Sequence, residues 1–305
     1  MKQLILFCQC VILLFLAGCS RCKAERVFPD VNPYQVDRIV IAQAGYPEYV
    51  FSQSAPQTWI LETEGSTFLC DNEVIMQFLT QIANVTFSHV RDKNKKVLAE
   101  SEKCQGTDVS LRQEGKEKRF SVKKAGEDYQ SCYILRPEQK ECVLCFPYII
   151  TMVNQPLQKW LKKSIFDAPY DKVSMISLTI QDMTVGWKRD TKTAKWSPIS
   201  SDISPAQEKS ICEFYHFLQD MKIHDAVVPQ QNENISKTPR IVISVVTDND
   251  SIHEFQIRNQ KNSTFYYASR TVEETGVLLF SRTWMKKLKQ KSSVVLPETI
   301  VNRIE

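Results

Sequence analysis

The sequence predicts an α+β fold of two tandem repeat units, each an antiparallel sheet with packed helices. Three observations carry the prediction. An apolar segment recurs, as Val36-Asp37-Arg38-Ile39-Val40-Ile41 and Val173-Ser174-Met175-Ile176-Ser177-Leu178, and Trp59 and Trp196 recur at the same separation of 137 positions (36 to 173, 59 to 196). A capped amphipathic helix signal follows each Trp. An alternating hairpin pattern follows each helix.

Each element has a physical reason. The chain opens on Met1-Lys2-Gln3, an apolar run from Leu4 to Leu16, and Ala17-Gly18-Cys19. That run is too short for an ordinary transmembrane helix and ends in small residues, as an export signal does. Leu16-Ala17-Gly18-Cys19 resembles the lipobox of bacterial lipoproteins, which implies cleavage before Cys19 and acylation of its thiol and amine. The expected segments are therefore a signal peptide at 1–18, a tether at 19–35, repeat unit one at 36–167 and repeat unit two at 168–305. The alternatives are a plain secretory signal whose cleavage site contains Cys, or a eukaryotic signal peptide, which sequons at Asn84, Asn234 and Asn262 fit.

In unit one Asp71 is the expected helix cap, and Ile75, Phe78, Leu79 and Ile82 recur at helical spacing. In unit two Ser204 is the expected cap, with Pro205 at the first helical position and Gln207 completing a capping box, ahead of Ile211, Phe214, Tyr215 and Leu218. Val109 and Leu111 turn through Glu114-Gly115-Lys116 to Phe120 and Val122; Ile241, Ile243 and Val245 turn through Thr247-Asp248-Asn249-Asp250 to Phe255 and Ile257. Strands at Tyr133–Leu135 and Val143–Phe146 then match Phe265–Tyr267 and Val277–Phe280, and basic helices at Leu157–Lys163 and Trp284–Lys289 close the units. Lysines interleaved with Trp in both helices fit an anionic headgroup layer; packing of Trp on the sheet with Lys in water is the other reading.

This order, with the Trp59 strand, the helix starting near Asp71 and the closing Leu161-Lys162-Lys163-Ser164-Ile165-Phe166-Asp167 segment, resembles the bacterial family called domain of unknown function 4340. The resemblance spans roughly 36–297. It implies a duplicated, extracytoplasmic protein on a membrane anchor, associated with ABC transporters of the gliding-motility type, and it brings no catalytic residue.

Composition excludes other classes. With 39 Lys and Arg against 35 Asp and Glu the chain is no nucleic-acid-coating polycation, and 43% apolar residues with only 8 Gly is a globular composition. Walker, G-x-G-x-x-G and G-x-S-x-G motifs do not occur. The histidines, at 89, 216, 224 and 253, form no metal-ligand spacing, although His216 and His224 are placed to share one helix. Ten cysteines fall at 8, 10, 19, 22, 70, 104, 132, 142, 145 and 212; seven remain after the signal and the anchor, an odd number for a disulfide framework. Cys142-Val143-Leu144-Cys145 is a CxxC, but in a strand, where positions three apart face opposite sides.

The expectation is thus a non-enzymatic lipoprotein without cofactor or metal, anchored through Cys19 to the cell membrane or outer membrane and facing periplasm or exterior. Its expected partner is a membrane complex of ABC-transporter type, with nucleic acid excluded. The alternatives are an exported thiol, redox or metal-binding protein using Cys142 and Cys145, or a solute-binding protein closing between the units.

Overall fold

The computed structural model describes residues 25–86, 91–92, 106–124, 132–136, 141–145, 148–190, 192–200, 207–228, 235–262, 264–270 and 275–304. The expected signal peptide and Cys19 lie outside them, as do His89, Cys104, Asn234, Phe146 and the Ser204-Pro205 pair. No helix among the described residues is long and apolar enough to cross a membrane.

Nine strands form the first sheet: Val36–Gln43 (β1), Tyr49–Ala55 (β2), Thr58–Thr63 (β3), Ser66–Leu69 (β4), Arg91–Asp92 (β5), Gly106–Gln113 (β6), Lys116–Lys124 (β7), Cys132–Arg136 (β8) and Glu141–Cys145 (β9). Eight form the second: Val173–Ile180 (β10), Met183–Arg189 (β11), Trp196–Pro198 (β12), Asp225–Val227 (β13), Ile241–Thr247 (β14), Ile252–Gln260 (β15), Phe265–Arg270 (β16) and Val277–Ser281 (β17). All pairings are antiparallel. The orders are β4-β3-β2-β1-β6-β7-β8-β9-β5 and β12-β11-β10-β14-β15-β16-β17-β13. Without β4 the two lists correspond strand for strand. The correspondence reaches fine detail, because a register shift between Val36 and Arg38 in the β1–β6 ladder recurs between Val173 and Met175 in β10–β14.

Period-two alternation decides which face each strand buries. Ile39, Ile41, Phe51, Leu61, Val109, Leu111, Phe120 and Val122 are buried in the first sheet, and Ile176, Leu178, Val185, Trp187, Ile243, Val245, Phe255 and Ile257 in the second. The Glu64-Gly65 and Glu114-Gly115 turns both take positive φ, at 47° and 75° and at 51° and 74°. Gly at the second place relieves what a Cβ would suffer there, and such turns match the strand twist.

Helices are the minor component. Asn72–Ala83 (α1) is capped by Asp71, whose carboxylate accepts from the amides of Glu73 and Val74, and it buries Ile75, Phe78, Leu79 and Ile82 as its spacing predicts. Tyr148–Val153 (α2) and Leu157–Trp160 (α3) follow. Glu208–Asp220 (α4) buries Ile211, Phe214, Tyr215 and Leu218, while Arg282–Ser292 (α5) and Glu298–Val301 (α6) end the chain.

Three expectations are corrected. Helix α4 starts at Glu208, because Gln207 is extended with ψ 140° and so cannot be the third residue of a helix begun at Pro205. The closing helix expected over Leu157–Lys163 is a single turn: Leu161 is extended and bridges Cys70, which pulls the chain into a ladder. The 19–35 tether is docked from Arg26 onward, where Arg26 bridges Thr86, and Val27, Phe28 and Val31 are buried. Here the repeat extends upstream, since a 3₁₀ turn at Pro33–Gln35 precedes β1 and another at Tyr170–Lys172 precedes β10.

Trp160 anchors the first unit. Fully buried, it meets the rings of Phe51 and Phe78 edge-on at 4.9 and 5.3 Å, and its indole N–H donates to the Gln155 carbonyl at 3.2 Å. Trp160→Ala is expected to lower unfolding free energy by about 3–5 kcal/mol, and Trp160→Phe by much less, in urea titrations followed by circular dichroism. Equal losses would show that the site tolerates no ring at all.

Candidate functional site

Two places stand out: the seam between the sheets and a groove on the open face of the first sheet. The seam is made of backbone. Cys70 bridges Leu161, the Lys162 amide donates to Leu69 at 3.0 Å and the Asp71 amide to Trp160 at 2.8 Å. On the other side Ser164 bridges Lys222, the Ile223 amide donates to Lys163 at 3.0 Å and the His224 amide to Leu279 at 2.8 Å. Residues 161–164 therefore carry hydrogen bonds from the edge of β4 across to β17, and an edge that would template aggregation is closed.

Arg270, on β16 and only 3% exposed, sits in this seam. Its guanidinium donates to the carbonyls of Lys162 at 2.6 Å, Ser164 at 2.8 Å and Leu69 at 3.5 Å. A second clasp lies beside it. The amides of Thr67 and Thr275 donate reciprocally to each other's hydroxyls at 2.9 Å, and the Gly276 amide donates to the Thr67 carbonyl at 2.9 Å. Gly276 lies flat on Phe68, where a Cβ would fall 2.0 Å from the ring, so only glycine fits.

Asp167 closes the seam from outside, paired with Lys162. Burial raises its carboxyl pKa, but hydrogen bonds from Lys162 and Ser164 and the charges of Lys162 and Arg270 outweigh burial, so the group sits below its ordinary value. The Tyr215 hydroxyl donates to the Ala168 carbonyl at 2.6 Å, and burial first, then the Asp167 charge, push it up to about 12.

The groove has a volume of about 430 Å³ and is floored by Val40, Ala42, Val109 and Phe120. Glu48, Asp108, Glu117 and Arg119, with the hydroxyls of Ser110 and Ser121, provide its polar lining. Arg119 donates to Glu117 at 2.6 Å, Ser110 donates to the same carboxylate, and Ser121 to Asp108. Hydrogen bonds from Arg119 and Ser110 hold the Glu117 carboxyl below its usual range. Ser110 beside a carboxylate is the outline of a nucleophile and base, but a base needs a pKa raised toward the working pH, and Glu117 is shifted the other way.

Of the sequence-derived candidates, His224 lies in the seam, and none lines the groove. Cys142 and Cys145 are on β9, opposite Leu135 and Cys132 in the ladder, three positions apart and so on alternate faces; their side chains lie outside the described residues. Burial pushes the Cys132 thiol up to about 12. His216 and His224 do not share a helix: α4 ends at Asp220, and the seam draws His224 into an extended segment where it stacks on Phe265 at 4.8 Å. Among the described residues no group of three His, Cys, Asp or Glu is arranged to hold a metal. The polar groove residues of the strands, Asp108, Ser110, Glu117, Arg119 and Ser121, form no motif in the sequence, where they are ordinary outward strand positions.

No protein family, curated protein or solved structure matches the chain.

Two outcomes are expected at the seam. Arg270→Met leaves buried carbonyls without their donor and should cost about 3 kcal/mol in denaturant unfolding. An effect below that of a surface substitution would remove Arg270 from its role. The second concerns acid. A carboxyl lowered in the folded state adds stability above its unfolded pKa of about 3.9 and loses it as pH falls through the lower folded value. Asp167→Asn should therefore flatten the fall in thermal midpoint below about pH 4 while costing at most about 1 kcal/mol at neutral pH, because the pair is half exposed. An unchanged acid limb would contradict the assignment.

Proposed function

We propose that the protein is a lipid-anchored, exported envelope protein that binds a partner without transforming it, and that the partner belongs to a membrane complex of ABC-transporter type. The observation that carries the binding reading is the groove: a ligand-sized depression of hydroxyls, carboxylates and one guanidinium on a sheet face whose donors and acceptors are already ordered. Preordered polar groups give specificity at little conformational cost. The Leu16-Ala17-Gly18-Cys19 sequence supports the anchor, and the resemblance to the domain of unknown function 4340 family supports the kind of partner.

A rigid pair of units fits this reading better than a receptor that closes on a solute. Hinge motion would part Arg270 from carbonyls on the 161–164 strip and unlace the Thr67–Thr275 clasp. Each lost bond to a buried charge costs about 1.5–3 kcal/mol.

Intact-mass analysis of the membrane fraction tests the anchor. Wild type should begin at Cys19 with acyl mass added, and Cys19→Ala should lose both the mass and the membrane association; an unacylated chain cut elsewhere refutes the anchor. A photo-crosslinking residue at position 119 tests the groove. It should capture a membrane protein that the same probe at exposed position 192 does not, and identical yields at both positions refute the groove as the contact.

A further inference from the structure

Helix α5 has a composition that its place in the fold does not require. It carries Arg282, Lys286, Lys287, Lys289 and Lys291, and no Asp or Glu occurs from Thr275 to Pro297. Its inner face is accounted for, since Met285, Leu288 and Ser292 are buried and Trp284 packs on Phe217 with centroids 6.0 Å apart. Lys289 and Lys291 lie in the last turn, where cations complement the helix dipole. Arg282 does the opposite, because it opens the helix at the positive end with no acid in the first turn. Local helix stability therefore explains two of the five charges and argues against one.

Four of the five cations are outward. Arg282, Lys286, Lys287 and Lys291 are exposed, as is Val294 just past the helix at 62%. Lys287 lies over the partly exposed Trp284 ring, 4.6 Å from its centroid. A row of ammonium groups beside an indole and an exposed Val is the chemistry of a surface that meets anionic headgroups and the first carbons below them.

Geometry limits how far the body can be from a bilayer. This step rests on the anchor proposed above. Among the described residues the chain is paired from Arg26, seven residues from Cys19, so an acylated Cys19 would hold the body within roughly 25 Å of the lipid. At that range even weak attraction acts at high effective concentration.

We propose that α5 docks the body onto an anionic lipid surface through Arg282, Lys286, Lys287 and Lys291, with Trp284 at the headgroup level. The test is lysine acylation read by mass spectrometry, with the full chain on vesicles of phosphatidylcholine alone or of equimolar phosphatidylcholine and phosphatidylglycerol. On the mixed vesicles Lys286, Lys287 and Lys291 should acylate at least about fivefold more slowly, the occupancy that one lysine's attraction to an anionic leaflet supplies. High salt should abolish the protection, and exposed Lys188 and Lys192 should be unaffected.

Equal rates on the two vesicles overturn the docking surface while leaving the anchor standing. Protein that leaves the neutral vesicles refutes the anchor, and protection on the mixed vesicles is still read separately. Equal protection by a single-stranded oligonucleotide overturns the commitment to lipid, since it makes the helix a general polyanion surface.

Discussion

The guanidinium of Arg270 is buried where the 161–164 strip joins the two sheets. Moving a cation out of water costs several kcal/mol, and that cost is offset only if its donors all find acceptors in good geometry. The acceptors here are carbonyls of residues 69, 162 and 164, on two stretches of unit one, while the donor is on a strand of unit two. Neither unit can satisfy the charge alone. The buried apolar residues likewise form one continuous cluster from Val27 to Ile304, so the two units share a core. Unfolding one unit should also expose an uncompensated charge in the other.

The sheets were legible in the sequence because alternation writes the buried face directly. Ile39 and Ile41, Val109 and Leu111, and Phe255 and Ile257 all point where period two puts them. The cap at Asp71 was legible for the same local reason. The seam was not. Its acceptors are backbone carbonyls, which every residue has, and its partners lie as far apart as Thr67 and Thr275. One local signal was present and passed over: Pro33-Tyr34 before β1 matches Pro169-Tyr170 before β10, and it places the start of unit one inside the stretch expected as tether. The capping-box signal misled at Gln207, which is extended at the N-cap of a helix that begins at Glu208, not within its first turn.

The groove shows the opposite limit. Ser110, Glu117, Arg119 and Ser121 are outward positions on β6 and β7, and alternation predicts that much. What it cannot predict is that Arg119 turns along the sheet to Glu117 and that Ser121 reaches Asp108, leaving a depression over Val40 and Ala42. Such a site depends on side-chain rotamers across three strands, and no spacing along the chain encodes them.

The two units share a strand order yet end differently, and the difference follows from what each must do next. Unit one hands the chain to unit two, so its closing stretch is used up: Trp160 goes to the core, and residues 161–164 become the strip that joins the sheets. Little of it is left to remain helical. Unit two closes the core without handing over a strip, so α5 needs only its inner stripe of Met285 and Leu288 for packing and its outer surface is released from structural duty. Four of its five cations, Arg282, Lys286, Lys287 and Lys291, stand on that outer surface. The charge of α5 therefore lies on the surface that packing leaves free, while Met285 and Leu288 turn to the core.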